Sequence, residues 1–265
     1  MYNPFDKIAT AYDDLFTNTM VGKAQRSIVW KYLNETLPLN SSLNILELNC
    51  GTGEDAIRFA QKGNSVLASD SSETMLKVTE EKITRSNLNH LVSTKKIDLN
   101  NPYDLELNSK FDLIFSNFGG LNCIDKITLE KLTESFSKIL NANGKLILVL
   151  MPKFSLWESV YFLFKFKFGE IFRRSSTKPL NVRLNGGFVD TYYYSPRNIA
   201  KIFSYNFKVN SIKPVGLFIP PSFMNGSFKK KKRIFSLLKR LEKYAYNFSF
   251  LSYFSDHYII ELELN

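Results

Sequence analysis

The sequence predicts an open α/β fold: a parallel sheet with helices on both faces. Two observations carry this prediction. An apolar, strand-like run from Leu43 to Leu48 ends in the turn Cys50-Gly51-Thr52-Gly53, a helical pattern starts near Gly53, and a second apolar run from Ser65 ends at Asp70. Downstream, strand-like and helix-like segments keep alternating, a pattern that buries a parallel sheet between two helical layers.

The elements follow in order. Phe5, Ile8, Ala9, Tyr12 and Phe16 lie on one helical face, and residues 21–37 form a second helix that stops near Pro38. Strands are expected at 43–49, 65–70, 91–97, 111–116 and 144–151, with helices at about 53–62, 72–86 and 127–141. Gly63-Asn64 and Asn143-Gly144 mark helix ends. After Met151-Pro152 the alternation breaks. Residues 154–172 form an aromatic, basic helical stretch, and residues 182–194 form a hairpin turning at Asn185-Gly186-Gly187. Ser195 caps a helix that has Pro196 at its first position. A sixth strand covers 207–212, a loop covers 214–228, a basic amphipathic helix covers 229–248, and a last strand covers 256–264.

The turn reads Gly51-Thr52-Gly53-Glu54-Asp55-Ala56, which fits G-x-G-x-x-A, so a nicotinamide enzyme is one reading. Glu47, Glu54 and Asp55 argue against it, because a pyrophosphate at that helix start would meet three carboxylates. S-adenosylmethionine has no phosphate and carries cationic groups that suit an acidic rim. Asp70 lies 23 residues after Glu47, where a carboxylate can accept hydrogen bonds from a ribose diol. At these residues the chain resembles the class I S-adenosylmethionine-dependent methyltransferases. Their E-x-G-x-G-x-G motif appears here as Glu47-Leu48-Asn49-Cys50-Gly51-Thr52-Gly53. Asn49 replaces one glycine, and Asn tolerates left-handed backbone better than most residues.

The resemblance implies a Rossmann-like seven-stranded sheet whose last strand is antiparallel, and S-adenosyl-L-methionine as cofactor. Carried over residue by residue, it assigns Glu47, Asn49, Gly51 and Gly53 to the cofactor turn and Asp70 to the ribose, with Ser71 as the following helix cap. It places Met75, Asp98 and Leu99 at the adenine and Tyr12 over the cofactor. Arg26 is assigned to the methionine carboxylate and Asn117 to the loop beside the transferable methyl. Nucleic-acid and protein amine methylases often carry an N-P-P-Y-like run at this loop. Here the residues are Asn117-Phe118-Gly119-Gly120, which counts against nucleic acid as acceptor. Phe118 is the expected wall of the acceptor pocket, with Asn122, Tyr192 and Tyr194 as further contacts. His257, at the start of the last strand, is the candidate general base. Neighbouring Asp256 is expected to point to the opposite face of that strand. His90 sits in a polar loop and carries no role.

The chain of 265 residues divides into N-terminal helices covering the cofactor (1–42), the cofactor-binding core (43–151), an aromatic and basic cap (152–194), a core helix and strand (195–215), a second basic cap (216–254) and the final strand (255–265). The net charge of +10 is concentrated in the caps. Residues 152–194 carry +4 with 12 aromatics, residues 216–254 carry +7 with 10 aromatics, and the rest sums to −1. That asymmetry concerns partners rather than fold. The aromatics imply a small hydrophobic acceptor: aromatic, polyketide, quinone or lipid-like. Lys229 to Arg233, followed by Ile234, Leu237, Leu238, Leu241 and Ala245, imply an amphipathic lid helix or contact with an anionic membrane. An RNA methyltransferase gripping phosphates through the caps, and a cofactor-binding subunit without catalysis, remain alternatives. Cys50 and Cys123 supply neither a disulfide framework nor metal ligands. No signal segment and no membrane span are expected, which places the protein in the cytoplasm or at the inner face of the membrane.

Overall fold

A computed structural model describes residues 3–184 and 187–265. Asn185 and Gly186 of the expected hairpin turn lie outside the described residues. Seven strands form the main sheet: β1 (Asn44–Leu48), β2 (Ser65–Asp70), β3 (Val92–Lys96), β4 (Phe111–Ser116), β5 (Leu140–Leu150), β8 (Phe207–Val215) and β9 (His257–Leu264). Between β5 and β8 the strands β6 (Leu180–Leu184) and β7 (Gly187–Thr191) pair with each other as a separate ribbon. The main sheet runs in the order β3-β2-β1-β4-β5-β9-β8. β1 to β5 are parallel, and β9 is antiparallel to both neighbours.

The helices are α1 (Met20–Thr36), α2 (Glu54–Ala60), α3 (Glu73–Arg85), α4 (Lys126–Ile139), α5 (Leu156–Phe164), α6 (Pro196–Phe203), α7 (Asn225–Phe228) and α8 (Lys232–Ala245). Successive strand residues alternate between two buried layers. Leu46, Leu48, Ile114, Leu146 and Leu148 pack towards α4 and α6. Ile45, Val66, Leu113, Phe115 and Ile147 pack towards α1, α2 and α3. Ser195 caps α6 in a capping box with Asn198, as its Ser-Pro start predicts.

Several expected elements differ. The first segment is a 3-10 helix, Asp6–Ala11, followed by a π-helical turn, Asp13–Thr17. The stretch 154–172 is not one helix. α5 stops at Phe164, Phe166 takes a left-handed φ of 55°, and two short 3-10 turns follow. The basic helix begins at Lys232 rather than Lys229, since five consecutive cations repel one another in a first turn that already carries the positive dipole end. Its inner face is also rotated from the expected one. Phe235, Glu242 and Ala245 are buried, whereas Ile234, Leu237, Leu241 and Tyr244 are exposed. Glu242 fixes that rotation: its two carboxylate oxygens accept the backbone N–H groups of Gly216, Leu217, Phe218 and Ile219 at 2.6–3.1 Å.

In the register, Leu150 lies opposite Tyr258 and Val215 opposite His257. β5 and β8 therefore end where β9 begins, at the edge where the parallel strands present their carboxyl ends. The segments that follow β5 and β8 both leave from this edge, where open α/β sheets place their sites.

Candidate active site

The turn after β1 is built from left-handed residues. Asn49, Gly51 and Gly53 have φ of 53°, 56° and 74°. A Cβ on Gly53 would lie 2.5 Å from Thr79 Cγ2, so only glycine allows α2 to start this close to α3. A Cβ on Gly51 would meet only Tyr12, at 3.9 Å, which leaves the turn open under that ring. Asp70 ties the turn to the tip of β2: Oδ2 accepts from Gly51 N and Oδ1 from Ser72 N, each at 2.9 Å. Burial pushes its carboxyl up, against the pull of these backbone donors. Ser72, not Ser71, caps α3, accepting from Met75 N at 3.1 Å. Asp70 itself occupies the position expected for the strand end, so the cap falls one residue later. Ser71 instead accepts from the Asn3 amide at 3.1 Å.

The N-terminal segment closes over this corner. Met75 is buried against Ile8 and Ala9. Ser72 donates to Asp6, Thr52 donates to Asp13, and Lys82 pairs with Asp13. Asp98 lies in a turn of its own, where Oδ1 accepts from the backbone and side-chain nitrogens of Asn100 at 3.0 Å. Leu99 points into the core layer beneath the sheet.

The three carboxylates that argued against a pyrophosphate are not equivalent. Glu54 is half exposed, 4.0 Å from Lys82. Asp55 is buried and pairs with Arg26, while accepting from Trp30 Nε1 at 2.6 Å and Asn117 Nδ2 at 2.8 Å. Burial favours the neutral acid, but Arg26 and these donors outweigh it and hold the Asp55 carboxyl below its ordinary value. Burial, reinforced by the charge of Asp55, pushes Glu47 well above the usual carboxylate range. The acidic rim is therefore an Asp55 paired with Arg26, a half-exposed Glu54 near Lys82, and a buried Glu47 whose surroundings favour its neutral form. Among the described residues, Glu47 Oε2 and Arg26 Nε are both buried without a hydrogen-bond partner. An orphan acceptor and an orphan donor at one corner fit the ammonium and carboxylate of an amino-acid moiety.

A cavity of about 480 Å³ opens beside this corner, walled by Tyr12, Arg26, Phe118, Tyr193, Phe223 and His257 among others. A larger one, about 690 Å³, lies between α4, α6 and the base of the first cap, away from the glycine turn. Phe118 takes a left-handed φ of 46°, a strained conformation that turns its ring into the smaller cavity. Arg26 lies 5.0 Å over this ring, and His257 packs edge-on to it at 5.6 Å.

Three expected acceptor contacts are corrected. Asn122 is fully buried; its amide donates to the carbonyls of Met151 and Tyr192 and accepts from Met151 N, so it braces two chains and has nothing left for a ligand. Tyr194 donates to the Ile124 carbonyl from within the core. Tyr192 packs on the same core side and borders the larger cavity. Alternation along an extended chain sends these two one way and Tyr193 the other, to the smaller cavity. Asn117 also works inside the protein, bonding Asp55 and accepting from Phe118 N.

Asp256 does not point away from His257. It precedes β9, outside the strand geometry, and its Oδ2 lies 3.2 Å from His257 Nδ1. Gln25 donates to the same oxygen at 3.1 Å, and Arg174 Nη2 reaches Oδ1 at 3.0 Å. Arg174 also binds Glu158 of α5, with Nε 2.9 Å and Nη2 2.7 Å from Oε2. Burial alone would raise the Asp256 carboxyl; His257 and Arg174 outweigh it and hold it well below its ordinary range. Sequence reasoning missed Glu158, Arg174 and Gln25, read Asp55 only as part of an acidic rim, and did not separate Tyr193 from its two neighbours in the tyrosine run. Strand alternation could have found Tyr193, whereas Gln25 and Asp256 are 231 residues apart and share no local signal.

A seven-stranded sheet of this order with β9 reversed, and a glycine turn bonded to the acid ending β2, defines the class I S-adenosylmethionine-dependent methyltransferase fold. Residues 45–144 match the family model described as a methyltransferase domain. The demethylmenaquinone methyltransferase of Staphylococcus carnosus (strain TM300) is 27% identical over 184 residues, covering 66% of this chain and 72% of that protein. An S-adenosylmethionine-dependent methyltransferase from Clostridium acetobutylicum has a TM-score of 0.62 at 17% identity, over 99% of this chain and 100% of that one. A glycopeptide N-methyltransferase solved with S-adenosyl-L-homocysteine has a TM-score of 0.57 at 14% identity, over 89% of this chain and 88% of the other. Residues 45–144 are thus matched to a methyltransferase domain, and the whole chain shares the fold of S-adenosylmethionine-dependent methyltransferases, which supports that activity and that cofactor.

Proposed function

We propose that this enzyme methylates a small hydrophobic acceptor of aromatic or quinone type in the cavity beside Phe118 and His257. The observation that carries this reading is the cavity itself: its wall joins Tyr12 and Arg26, from the cofactor corner, to aromatic side chains of both caps. The name of the S. carnosus relative, a demethylmenaquinone methyltransferase, favours a quinone-type ring. When bound, S-adenosylmethionine supplies an electrophilic methyl group on a cationic sulfur. The chain's own residues align and desolvate the partners. Asp70 holds the ribose hydroxyls, Arg26 Nε donates to the amino-acid carboxylate, and Glu47 accepts from the ammonium. Tyr12 covers the cofactor, and Phe118 walls the acceptor. His257 takes a proton where the acceptor must lose one.

Calorimetry with S-adenosylhomocysteine, followed by methyl transfer to a demethylated naphthoquinone, tests this. Asp70→Ala should weaken cofactor binding by about 1–3 kcal/mol. Unchanged affinity would remove Asp70 from the ribose. Methyl transfer to RNA instead of the quinone would favour the nucleic-acid reading.

The acceptor reaches the cavity, in this proposal, from an anionic membrane surface. Among the described residues no helix is long and apolar enough to cross a membrane. α8, however, exposes Ile234, Leu237, Leu241 and Tyr244 beside exposed Lys230 to Arg233, Lys239, Arg240 and Lys243, and its only acid, Glu242, is buried. Cations beside an exposed apolar stripe complement an anionic bilayer, each cation contributing about 1 kcal/mol near the surface. Binding should occur on anionic vesicles, weaken with salt, and disappear when Lys229 to Lys232 are changed to Gln. Equal binding to neutral and anionic vesicles would refute it.

A further inference from the structure

We infer that Arg174 is a positioning residue that makes the base of this site depend on the first cap: through Asp256 it fixes His257 as the Nδ1–H tautomer with Nε2 open to the cavity. The inference rests on the proposed reading of the cavity as the acceptor site.

The geometry runs from the cap to the ring. Arg174 is nearly fully buried, and each nitrogen of its guanidinium is engaged. Nε and Nη2 hold Glu158 on α5, Nη2 also reaches Asp256 Oδ1, and Nη1 donates to the Asp256 carbonyl at 3.2 Å. Arg173 pairs with the other oxygen of Glu158 at 2.5 Å, so the cap pair is neutral. The turn carrying both arginines is tied to α5 by Ser159, which donates to the Ile171 carbonyl at 2.8 Å. The start of α5 is tied to the second cap by the bond from Leu156 N to the Phe254 carbonyl at 2.9 Å.

On the far side, Gln25 of α1 holds Asp256 Oδ2, the oxygen that faces His257 Nδ1. A carboxylate accepts only, so it selects the tautomer with hydrogen on Nδ1. The buried Nδ1 makes no aligned hydrogen bond, and the acceptor it faces is this oxygen, 3.2 Å away; Nε2 has no hydrogen bond among the described residues, and the ring lines the cavity with Phe118. In that tautomer Nε2 carries a lone pair. A proton passing to it from an acceptor hydroxyl leaves the bonding pair on the acceptor oxygen and makes His257 an imidazolium, whose charge Asp256 stabilises. A histidine flipped to the other tautomer would present a proton to the acceptor and could accept none. Arg174 and Glu158 both belong to the segment after β5, so an unseated cap would leave Asp256 without its main cation.

The test reads the tautomer directly and needs no acceptor. His257 and His90 are the only histidines, so long-range ¹H–¹⁵N correlation on the His90→Gln protein isolates one ring. At alkaline pH, where imidazole is neutral, the expected result is a protonated Nδ1 and an unprotonated Nε2. Asp256→Asn should lose this pattern. Arg174→Lys keeps a buried cation for folding, but a point charge cannot fork across Glu158 and Asp256, so it should give a mixture of tautomers. Calorimetry with S-adenosylhomocysteine on the same proteins checks the fold and the cofactor site separately; failure there concerns the reading of the enzyme, not the tautomer. An Nε2–H ring in the otherwise native protein, or an unchanged Nδ1–H ring in Asp256→Asn, would overturn the inference. An unchanged ring in Arg174→Lys would overturn the role of Arg174.

Discussion

Replacing Asp55 by Asn should destabilise this protein by about 4 kcal/mol, more than any surface change can. The side chain is buried and receives three donors: the Arg26 guanidinium, Trp30 Nε1 at 2.6 Å and Asn117 Nδ2 at 2.8 Å. The amide has the same shape but offers one acceptor oxygen and turns its own N–H₂ towards a donor. Leaving a buried charge without its partner costs about 3–5 kcal/mol. An unmet buried donor costs about 1–3 kcal/mol. These overlap in one cluster, so they do not sum. Against a total stability of about 5–15 kcal/mol, the variant should still fold, with its melting temperature lowered by about 8–16 °C.

Urea denaturation is the assay, and the slope should stay constant while the midpoint falls. The double variant Arg26→Met, Asp55→Leu should recover part of the loss, because the penalty belongs to the unpaired charge. The pH dependence has a definite sign. The Asp55 carboxyl lies below its ordinary value in the folded chain, despite burial, because of Arg26. Its contribution is therefore complete above the unfolded value near pH 4 and is lost as the pH falls through the folded value. The native protein should lose stability on acidification that Asp55→Asn does not lose. A loss under about 1 kcal/mol for the single variant would refute the reasoning, since that is the size expected of an exposed pair.

Gly53→Ala should lower both stability and S-adenosylhomocysteine affinity, because φ is 74° and the new methyl would lie 2.5 Å from Thr79 Cγ2. Adding Thr79→Ala should relieve the contact but not the left-handed backbone, leaving about 1–2 kcal/mol of loss in denaturation. Glu242→Gln should cost about 2–5 kcal/mol, because an amide nitrogen would face two of the four backbone donors from Gly216 to Ile219; limited proteolysis should then cut the 216–254 segment faster. Tyr193→Leu should lower methyl transfer to the quinone more than Tyr192→Leu does, since only the former borders the smaller cavity. Equal effects would refute that placement.

Much of the site near the glycine turn is legible because it is local. The left-handed φ of Asn49, Gly51 and Gly53 is written in residue types that tolerate it, and Asp70 meets Gly51 only 19 residues away in sequence. The reading fails where the same residue type can serve two purposes. Asn122 and Tyr194 carry polar groups in a ligand-facing segment, yet those groups satisfy backbone carbonyls in the core. Arg26 was legible as a carboxylate partner, but the carboxylate it holds is Asp55.

From the sequence alone come the alternating strands and helices, the sharp turn after β1, the acid at the tip of β2 and the basic, aromatic character of the two segments outside the core. Each rests on a short-range rule: strand alternation, helical spacing, the steric freedom of glycine, or the count of charges. The tertiary structure alone supplies the face of α8 that is buried, the tyrosine that reaches the cavity, and the chain of contacts Glu158, Arg174, Asp256 and His257. The reason is physical. A buried ion pair forms only when packing removes water from both partners at once, and Arg174 and Asp256 are brought together across 82 residues by the meeting of β5, β8 and β9 at one sheet edge.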